Sequence, residues 1–536
     1  MRICLLSKEY PPDTGWGGIG TYNYQIAHGL KAIGHEVEVI ALSKADVPMP
    51  SNGDLHHLSN HFDQGAENAK TLEEEGIVVH RVPWQGHMDK HSGMLMTAPY
   101  SHFMFKTNML LWNKLLAIHS LRPFDVLETP EHLAEGLIPA IAKWLPVVIK
   151  LHTPYSKFIE ERFHHTTAAF DHQLIAMFER LAMVSADALI SPSSDLATYL
   201  FRDMNYPLNE IKIVKNPIDA NKFAPDGPRA IPADGHLTVL FVGRLEERKG
   251  VRYLIEAIPH IFEKIAVDNL SVRFVIIGSD TTTAAGHQPV LPQLKQMLAK
   301  SGCTDNVVFL SHVPLAEMPA YYRSADICIA PSLYDNAPYT CLEAMSCGRP
   351  LIGTDAGGMP EYIIDGESGL IIPAADTDAI VQAVTKLLKN EEERLRLGKN
   401  ARSYILEKID RSQIAKQNEA VYKLAMARFA SKKERAVYQR SPSQSLADAS
   451  GMFYAYQTML YNLLYVHSWR FRIGRWLKLL LSRPRLLLAK LIVRVSDKFF
   501  SFTGNQPPFI SRLNEQIENK QNEQERLVKL ELGCPK

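Results

Sequence analysis

Short apolar runs alternate with amphipathic helical stretches along most of this chain. Such alternation predicts a parallel α/β architecture, in which helices connect buried strands. The first half contains six of these runs, RICLLS, VEVIAL, IVVHRV, FDVLET, PVVIKL and DALISPS. The second half contains six more, LTVLFVGRL, RFVIIGSD, VVFLS, DICIAPS, PLIGTD and GLIIP. The chain is therefore predicted to build the same kind of domain twice.

A proline-rich segment, Asn216–Gly235, separates the two halves and has the composition of a linker. We predict two facing Rossmann-like domains with parallel sheets, covering residues 1–218 and 219–400. Residues 401–429 are predicted to be helices that return to the N-terminal domain, and residues 430–536 a basic, amphipathic helical tail. In doubly wound domains, ligands bind beyond the carboxyl ends of the strands.

Composition and cysteine usage narrow the class of protein. A chain of 536 residues has room for three or four domains, and its charged fraction of 22% is ordinary for soluble proteins. The six cysteines show no paired spacing, which is typical of a reducing cytosol and indicates neither a zinc site nor disulfides. The first apolar run is too short for a signal-peptide core, so we expect a cytoplasmic protein.

The net charge of +1 is unevenly distributed. Residues 451–500 carry nine Lys or Arg and one acid, so the other residues sum to −7. Trp469, Ile473 and Trp476 lie at helical spacing opposite basic positions, which predicts peripheral contact of residues 450–500 with an anionic membrane surface. The alternative is a helical hairpin packed on the protein body or on a subunit. The acidic body disfavours specific nucleic-acid binding.

A glycine-rich loop follows the first predicted strand, with the sequence GWGGIGTY. Gly17 and Gly18 would permit close backbone approach to a phosphate, and a helix predicted to begin near Thr21 would direct its N-terminus there. The alternative is a tight connection without a ligand. The loop is too long and its spacing is wrong for the dinucleotide-binding fingerprint, which disfavours a nicotinamide enzyme.

Basic residues and a histidine follow other predicted strands. Arg244 and Lys249 lie around a turn after LTVLFV and could clamp a diphosphate or neutralise a departing phosphate. Arg248, between them, is expected to be a solvated charge, which is also the alternative for the pair. His152 follows PVVIKL and precedes a Thr-Pro turn, so it is a candidate for the cleft, although a lone histidine is often structural.

Two acids lie eight positions apart in PSLYDNAPYTCLEAM. Asp335 would sit in a loop that opens a helix and Glu343 on that helix, where they could accept hydrogen bonds from sugar hydroxyls. Asp335 could instead form a turn or an N-cap. Glu343 has apolar neighbours and, if buried, needs a polar partner. The Asp376-Thr377-Asp378 pattern is better explained by helix capping than by a metal, and we expect no required metal.

These motifs together resemble the family-4 retaining glycosyltransferases with the GT-B fold. KEYPP with GGIGTY, HTP, NPID, FVGRLEERKG and the Asp335–Glu343 block with DAGGMPEYI occur in the family's order over about residues 1–425. The resemblance implies transfer of a sugar from a nucleotide-diphosphate sugar to an acceptor hydroxyl, with retention and without a further cofactor. The tail, which lies outside the resemblance, favours a lipid-linked or glycan acceptor in cell-surface polysaccharide or glycolipid synthesis, at the inner face of the cytoplasmic membrane.

The resemblance also implies roles for single residues. Glu343 would hold the donor ribose, and Arg244 and Lys249 the diphosphate. The glycine loop would approach the same phosphates, His152 would lie beside the transferred sugar, and backbone around Val313 would face the base.

The chain departs from the family pattern at Asp335, a position where glutamate is common. The resemblance therefore does not predict which sugar hydroxyls Asp335 would contact. The KTGGL loop of starch and glycogen synthases is absent, which disfavours a glucan synthase. Two alternatives stay open: a sugar-nucleotide-binding or scaffolding protein without catalysis, and another GT-B enzyme such as an epimerase or a phosphorylase.

Overall fold

The computed structural model describes residues 1–14, 17–44, 69–84, 99–162, 170–283, 288–311 and 313–435. Within these ranges the chain forms two separate sheets, one from each half. The predicted tail beyond Arg435, including the proposed membrane contact at 450–500, lies outside the described residues.

The first sheet has eight strands in the order β3-β4-β2-β1-β5-β6-β7-β8. Neighbouring strands are parallel except at the edge pair β3–β4, which is antiparallel. The strands are β1 Arg2–Ser7, β2 Glu36–Lys44, β3 Lys70–Glu74, β4 Ile77–Trp84, β5 Val126–Pro130, β6 Val147–Lys150, β7 Ala188–Ser191 and β8 Ile211–Ile213. The strands β1, β5, β6 and β7 are buried along their whole length, which explains their continuous apolar sequences.

The second sheet has six strands, all parallel, in the order β11-β10-β9-β12-β13-β14. They are β9 Leu237–Val242, β10 Val272–Ile277, β11 Val307–Leu310, β12 Ile327–Ala330, β13 Leu351–Thr354 and β14 Leu370–Ile372. The order runs outward in both directions from β9. The loop that follows β9 therefore lies near the middle of the sheet, where doubly wound domains bind ligands.

Helices cover the strands of both sheets. Those between the strands of the first sheet are α1 Gly18–Ala32, α2 Pro99–Leu121, α3 Leu137–Ala142, α4 Tyr155–Arg162, α5 Phe170–Ser185 and α6 Ser194–Met204. Those of the second half are α7 Val251–Ile265, α8 Val290–Ser301, α9 Met318–Ser324, α10 Tyr339–Ser346, α11 Thr377–Lys389, α12 Glu391–Tyr404 and α13 Arg411–Arg435.

The last helix, α13, packs against the first domain. Its backbone passes so close to α1 that a Cβ atom at Gly29 would lie 2.5 Å from the Arg411 carbonyl oxygen. Farther along, Asn418 and Tyr422 donate hydrogen bonds of 3.1 and 2.7 Å to the buried carboxylate of Glu128. Tyr22 of α1 donates a third, of 2.8 Å. The buried Glu128 carboxylate on β5 thus accepts hydrogen bonds from both α1 and α13. These hydrogen bonds hold α13 against this sheet.

Four local expectations differ from the structure. The exposed strand β3, KTLEE, was not predicted because an edge strand with no buried face carries no apolar pattern. The strand β8, IKI, at the opposite edge of the sheet, was also not predicted, since it has only three residues. Helix α1 begins at Gly18 rather than near Thr21. The final helix continues past Phe429 to Arg435, since the Ser-Lys-Lys-Glu-Arg sequence contains good helix formers.

Candidate active site

The loop after β9 carries the predicted basic pair. Arg244 has a mostly exposed side chain (62%) and lies 3.3 Å from Glu246, whose carboxylate is buried. Lys249 is only 17% exposed and forms an ion pair with the carboxylate of Asp335. The structure therefore brings two of the predicted residues into contact, Lys249 on the β9 loop and Asp335 on the loop after β12.

Arg248 is not the solvated charge that the sequence suggested. Its guanidinium donates to the Tyr334 carbonyl oxygen at 2.9 Å and to Glu246 at 3.0 Å, and it lies 3.8 Å from Asp335. The Leu333 amide donates back to the Arg248 carbonyl oxygen at 2.8 Å. Arg248 thus connects the two loops, a role that depends on β12 lying beside β9 in the sheet.

The acidic loop is also held by the Gly-Gly turn after β13. The Gly358 amide donates to the Asp335 carbonyl oxygen at 2.9 Å. A Cβ atom at Gly357 would lie 2.4 Å from that same oxygen, and one at Gly358 would lie 2.0 Å from the Asn336 carbonyl oxygen. Only glycines allow this approach. Asp335 does not cap the following helix, since the residue before α10 is Pro338.

Glu343 lies on α10 and is buried, with 6% of its surface exposed. Its polar partner is the Tyr322 hydroxyl, which donates to Oε2 at 2.7 Å. Burial raises the pKa of Glu343 to about 7, an effect that the Tyr322 hydrogen bond and the charge of Lys222 reduce. A carboxyl group kept in an apolar helix with this pKa is a candidate for ligand binding.

We expect the Glu343→Gln variant to be less sensitive to rising pH than the wild type. The folded-state pKa of about 7 exceeds the ordinary 4.5, so the contribution of this group to stability is present below about pH 4.5 and is lost as the pH rises through 7. The loss is on the order of 1.4 kcal/mol per unit of pKa difference.

Urea unfolding of both proteins between about pH 5 and pH 8 measures this effect. The variant retains Glu131 and Glu135, whose pKa values burial also raises to about 7. Part of the decline in the free energy of unfolding with rising pH should therefore persist. Plots of the free energy of unfolding against pH that are parallel for the two proteins would contradict the prediction.

Val313, expected near the donor base, follows β11 and is partly buried against the second domain's core. The neighbouring Ser311 carbonyl oxygen accepts from the Ser279 hydroxyl at 3.3 Å. His312 lies outside the described residues. The segment is thus at the carboxyl ends of β10 and β11, on the same edge of the sheet as the β9 loop.

In the first domain, Gly17 is the N-cap of α1 and Gly18 its first residue. The Glu9 carboxylate already accepts from the Gly20 amide at 3.2 Å, and a Cβ atom at Gly17 would lie 2.7 Å from it. At Gly18 an added Cβ would meet nothing within 4 Å. The helix end predicted to face phosphate therefore carries a carboxylate on one side and open space at Gly18.

His152 lies just past β6, with its Nε2 atom shielded from solvent and without a hydrogen-bond partner among the described residues. Burial lowers its pKa well below the ordinary value, and Lys150 and His132 act in the same direction, so the ring is neutral at pH 7. The Tyr22 ring contacts it edge-on at 5.3 Å between centroids. An unpaired buried nitrogen on a neutral ring is available to a ligand.

Sequence reasoning missed Glu131, which is fully buried beside His152. Its Oε1 atom accepts from the His152 amide at 2.8 Å, while Oε2 has no partner among the described residues. Burial raises the pKa of Glu131 to about 7. Only its position in the sequence could have indicated Glu131, because Glu131 and His152 follow the neighbouring strands β5 and β6.

Sequence reasoning also missed Asn336, next to Asp335. Its side-chain amide lies 2.5 Å from the His152 carbonyl oxygen and 2.9 Å from the Thr153 hydroxyl. The contacts thus run from Lys249 through Asp335 and Asn336 to His152, across the two sheets. Arg244, Glu343, Val313 and Gly17 make the other contacts given above, and Gly18 borders open space.

The Asp376-Thr377-Asp378 pattern is a helix cap. The Asp376 side chain accepts from the Ala379 amide at 2.9 Å at the start of α11, as the sequence predicted. In the part of the chain that the structure describes, no group of three or more His, Cys, Asp or Glu side chains is arranged to hold a metal ion.

Comparison with known sequence families assigns the two halves separately. The model described as "Glycosyl transferases group 1" matches residues 228–404, and the one described as "Glycosyl transferase 4-like domain" matches residues 17–217. The chain belongs to the group 1 glycosyltransferases, as the motifs predicted.

Known proteins resemble the chain over about four-fifths of its length. A glycogen synthase of Mycobacterium tuberculosis is 27% identical over 429 residues, which cover 79% of this chain and 94% of the relative. The structure of sucrose-phosphate synthase from Thermosynechococcus elongatus superposes with a TM-score of 0.59 at 20% identity, covering 80% of this chain and all of the other. The structure of Anabaena Alr3699/HepE in complex with UDP superposes with a TM-score of 0.55 at 18% identity, covering 79% of this chain and 100% of the other. These likenesses confirm the predicted GT-B fold.

None of the helices within the described ranges combines the length and apolar character that crossing a membrane requires.

Proposed function

We propose that this glycosyltransferase moves a sugar from a nucleotide-diphosphate sugar to an acceptor hydroxyl with retention of configuration. The observation that carries the proposal is the contact chain Lys249–Asp335–Asn336–His152. It joins a cation suited to phosphate, a carboxylate suited to sugar hydroxyls and a neutral histidine with an unpaired nitrogen. Structural similarity to a protein in complex with UDP supports a nucleotide as part of the donor.

The charges of the site suit a diphosphate leaving group. Arg244 is exposed and Lys249 partly buried on one loop after β9, so both can meet the phosphates as negative charge builds on them. The open side of Gly18 leaves room for the same phosphates. We assign these cations the charge stabilisation that a metal supplies in other folds, and we propose that activity is independent of metal.

We assign the carboxylates of Glu343 and Asp335 to different parts of the donor. Glu343 would accept hydrogen bonds from the ribose hydroxyls, which stabilise its ionised form. Asp335 would contact the sugar, and its pairing with Lys249 links that contact to the phosphates. The unpaired Nε2 atom of His152 would face the transferred sugar. We propose attack on the same face as departure, in which the leaving phosphate takes the acceptor proton.

The acceptor is proposed from the rest of the sequence. A basic, Trp-containing stretch at 450–500 favours an acceptor at the inner face of the cytoplasmic membrane, such as a lipid-linked sugar or a growing surface glycan. The absent KTGGL loop disfavours glucan synthesis, although one similar protein is named a glycogen synthase.

The proposal is tested by thermal unfolding of the full chain with UDP-, GDP- and ADP-sugars in parallel. One series should raise the Tm, since a ligand at about a hundred times its Kd stabilises a protein by about 2.7 kcal/mol. The same donor should then release its nucleoside diphosphate on incubation, equally well with EDTA present.

The Glu343→Gln variant is the control for specific binding, because it should lose most of the Tm increase. Stabilisation without release of nucleoside diphosphate, with or without candidate acceptors, would favour a non-catalytic binding protein. Interconversion of sugar epimers without transfer would favour an epimerase. The absence of any Tm shift would overturn the proposed donor class.

A further inference from the structure

Asn336 is a buried residue whose side chain reaches from the second domain into the first. It is 6% exposed, and its amide nitrogen lies 2.5 Å from the His152 carbonyl oxygen and 2.9 Å from the Thr153 hydroxyl oxygen. A carbonyl oxygen can only accept, so the NH2 group must face His152. The Thr153 hydroxyl donates to that same carbonyl at 2.7 Å, which leaves its oxygen free to accept from Asn336.

The other end of the amide is fixed by Tyr334. The Tyr334 hydroxyl lies 2.5 Å from Asn336 Oδ1 and 2.8 Å from Asp195 Oδ2, two acceptors for its single hydrogen. Asp195 belongs to the first turn of α6 in the first domain. Tyr334 and Asn336 therefore both cross between the domains, and each restrains the other's side chain.

Further contacts hold the domains together beside this pair. The Glu361 carboxylate accepts from the Ser194 and Asp195 amides at 2.8 and 3.0 Å, and the Tyr362 hydroxyl donates to the Pro192 carbonyl oxygen at 2.8 Å. These contacts reach α6 and the turn before it. Asn336 differs from them because its partner is the backbone of His152 itself.

We propose that Asn336 is a positioning residue, which sets the place of His152 relative to a donor held by its neighbour Asp335. This inference rests on the proposed function and extends it to a residue that lies between the two acids of the Asp335–Glu343 block. Because Asp335 and Asn336 are adjacent, a shift of the donor-side loop moves both. The His152 ring is thus aligned with the donor only when the domains meet at Asn336.

The side-chain type at this position is restricted by these contacts. Aspartate has the same shape but presents only acceptors, so it would face the His152 carbonyl oxygen without a hydrogen. Alanine removes both contacts, so the His152 carbonyl oxygen keeps the hydrogen bond from the Thr153 hydroxyl but loses its link to the second domain. Tyr334→Phe keeps the amide but removes the hydroxyl that orients it, and so should act in the same direction with a smaller effect.

The test compares the wild type with Asn336→Ala, Asn336→Asp and Tyr334→Phe, using release of nucleoside diphosphate from the same UDP-, GDP- and ADP-sugars that test the proposed function. We expect both Asn336 variants to lower kcat about 10- to 100-fold, with the KM for the donor nearly unchanged. Asn400→Ala is the matched control, since it removes one amide hydrogen bond, to the Glu367 carbonyl oxygen, within the second domain. That variant should keep the wild-type kcat.

Hydrogen exchange of the unliganded full chain gives a readout independent of activity. Exchange in residues 151–158 should rise in Asn336→Ala and stay unchanged in Asn400→Ala, while β9 stays protected in both. Wild-type kcat in the Asn336 variants, or equal loss of kcat and donor affinity, would overturn the positioning role and leave the proposed function standing. A wild type that turns over none of these donors would overturn the proposed function and this role with it.

Discussion

Lys249→Ala and Arg244→Ala are each expected to lower kcat about 10²- to 10³-fold, the usual cost of removing a group that stabilises transition-state charge. The two cations differ in the free enzyme. Lys249 is 17% exposed and pairs with Asp335, whereas Arg244 is 62% exposed and lies 3.3 Å from the Glu246 carboxylate. Lys249→Ala should therefore also weaken donor binding, because it removes the cation that separates the Asp335 carboxylate from the phosphates of the proposed donor.

The chain offers a matched control for each cation. Lys389 pairs with Asp268 at 2.6 Å, and Arg396 pairs with Glu393 at 2.8 Å with its side chain 46% exposed. Alanine at either position removes an ion pair of the same type from the surface of the second domain and should leave kcat unchanged. Turnover close to wild type in both Arg244→Ala and Lys249→Ala would refute the assignment of these residues to the diphosphate.

Gly250→Ala is expected to reduce both stability and turnover, because the backbone there leaves no room for a side chain. Gly250 has a φ of +65° and connects Lys249 to α7, and an added Cβ atom would lie 1.8 Å from the Pro331 carbonyl oxygen. The contact is with backbone, so the β9 loop and the loop carrying Asp335 must separate. The left-handed conformation costs about 1–2 kcal/mol, and forced repacking adds about 1–3 kcal/mol.

Gly302→Ala separates the two contributions. Gly302 has nearly the same φ, +71°, but an added Cβ atom there would meet nothing within 4 Å. It should therefore show only the conformational cost, with normal turnover. Chemical denaturation of both variants, together with their kcat values, measures the difference. Equal losses of stability would mean that the clash at Pro331 is relieved without separating the loops.

The sequence predicted the strands of both sheets well where both faces are buried. Runs such as RICLLS and PVVIKL have no polar alternation, because helices cover both sides of a parallel sheet. It failed at β3, whose residues are nearly all exposed. The start of α1 was misplaced for a related reason, since glycines at a helix end have no side chain whose pattern marks the first turn.

The candidate site was predictable to the extent that chemistry follows residue type and position after a strand. Arg244, Lys249, His152 and Asp335 each follow a buried strand, and carboxyl ends of parallel strands meet at one edge. Arg248, Glu131 and Asn336 could not be assigned in this way. Their roles depend on contacts with residues between 21 and 184 positions away, which the local sequence does not encode.

The sequence by itself determined the two α/β halves, the family and the residue types that can meet a charged sugar nucleotide, because these depend on local pattern and on motifs in a set order. The tertiary structure alone decided that Lys249 pairs with Asp335, that Tyr322 satisfies Glu343, and that Asn336 reaches the backbone of His152. These contacts follow from strand order and from the way the two domains meet, where distances are set by packing rather than by separation along the chain.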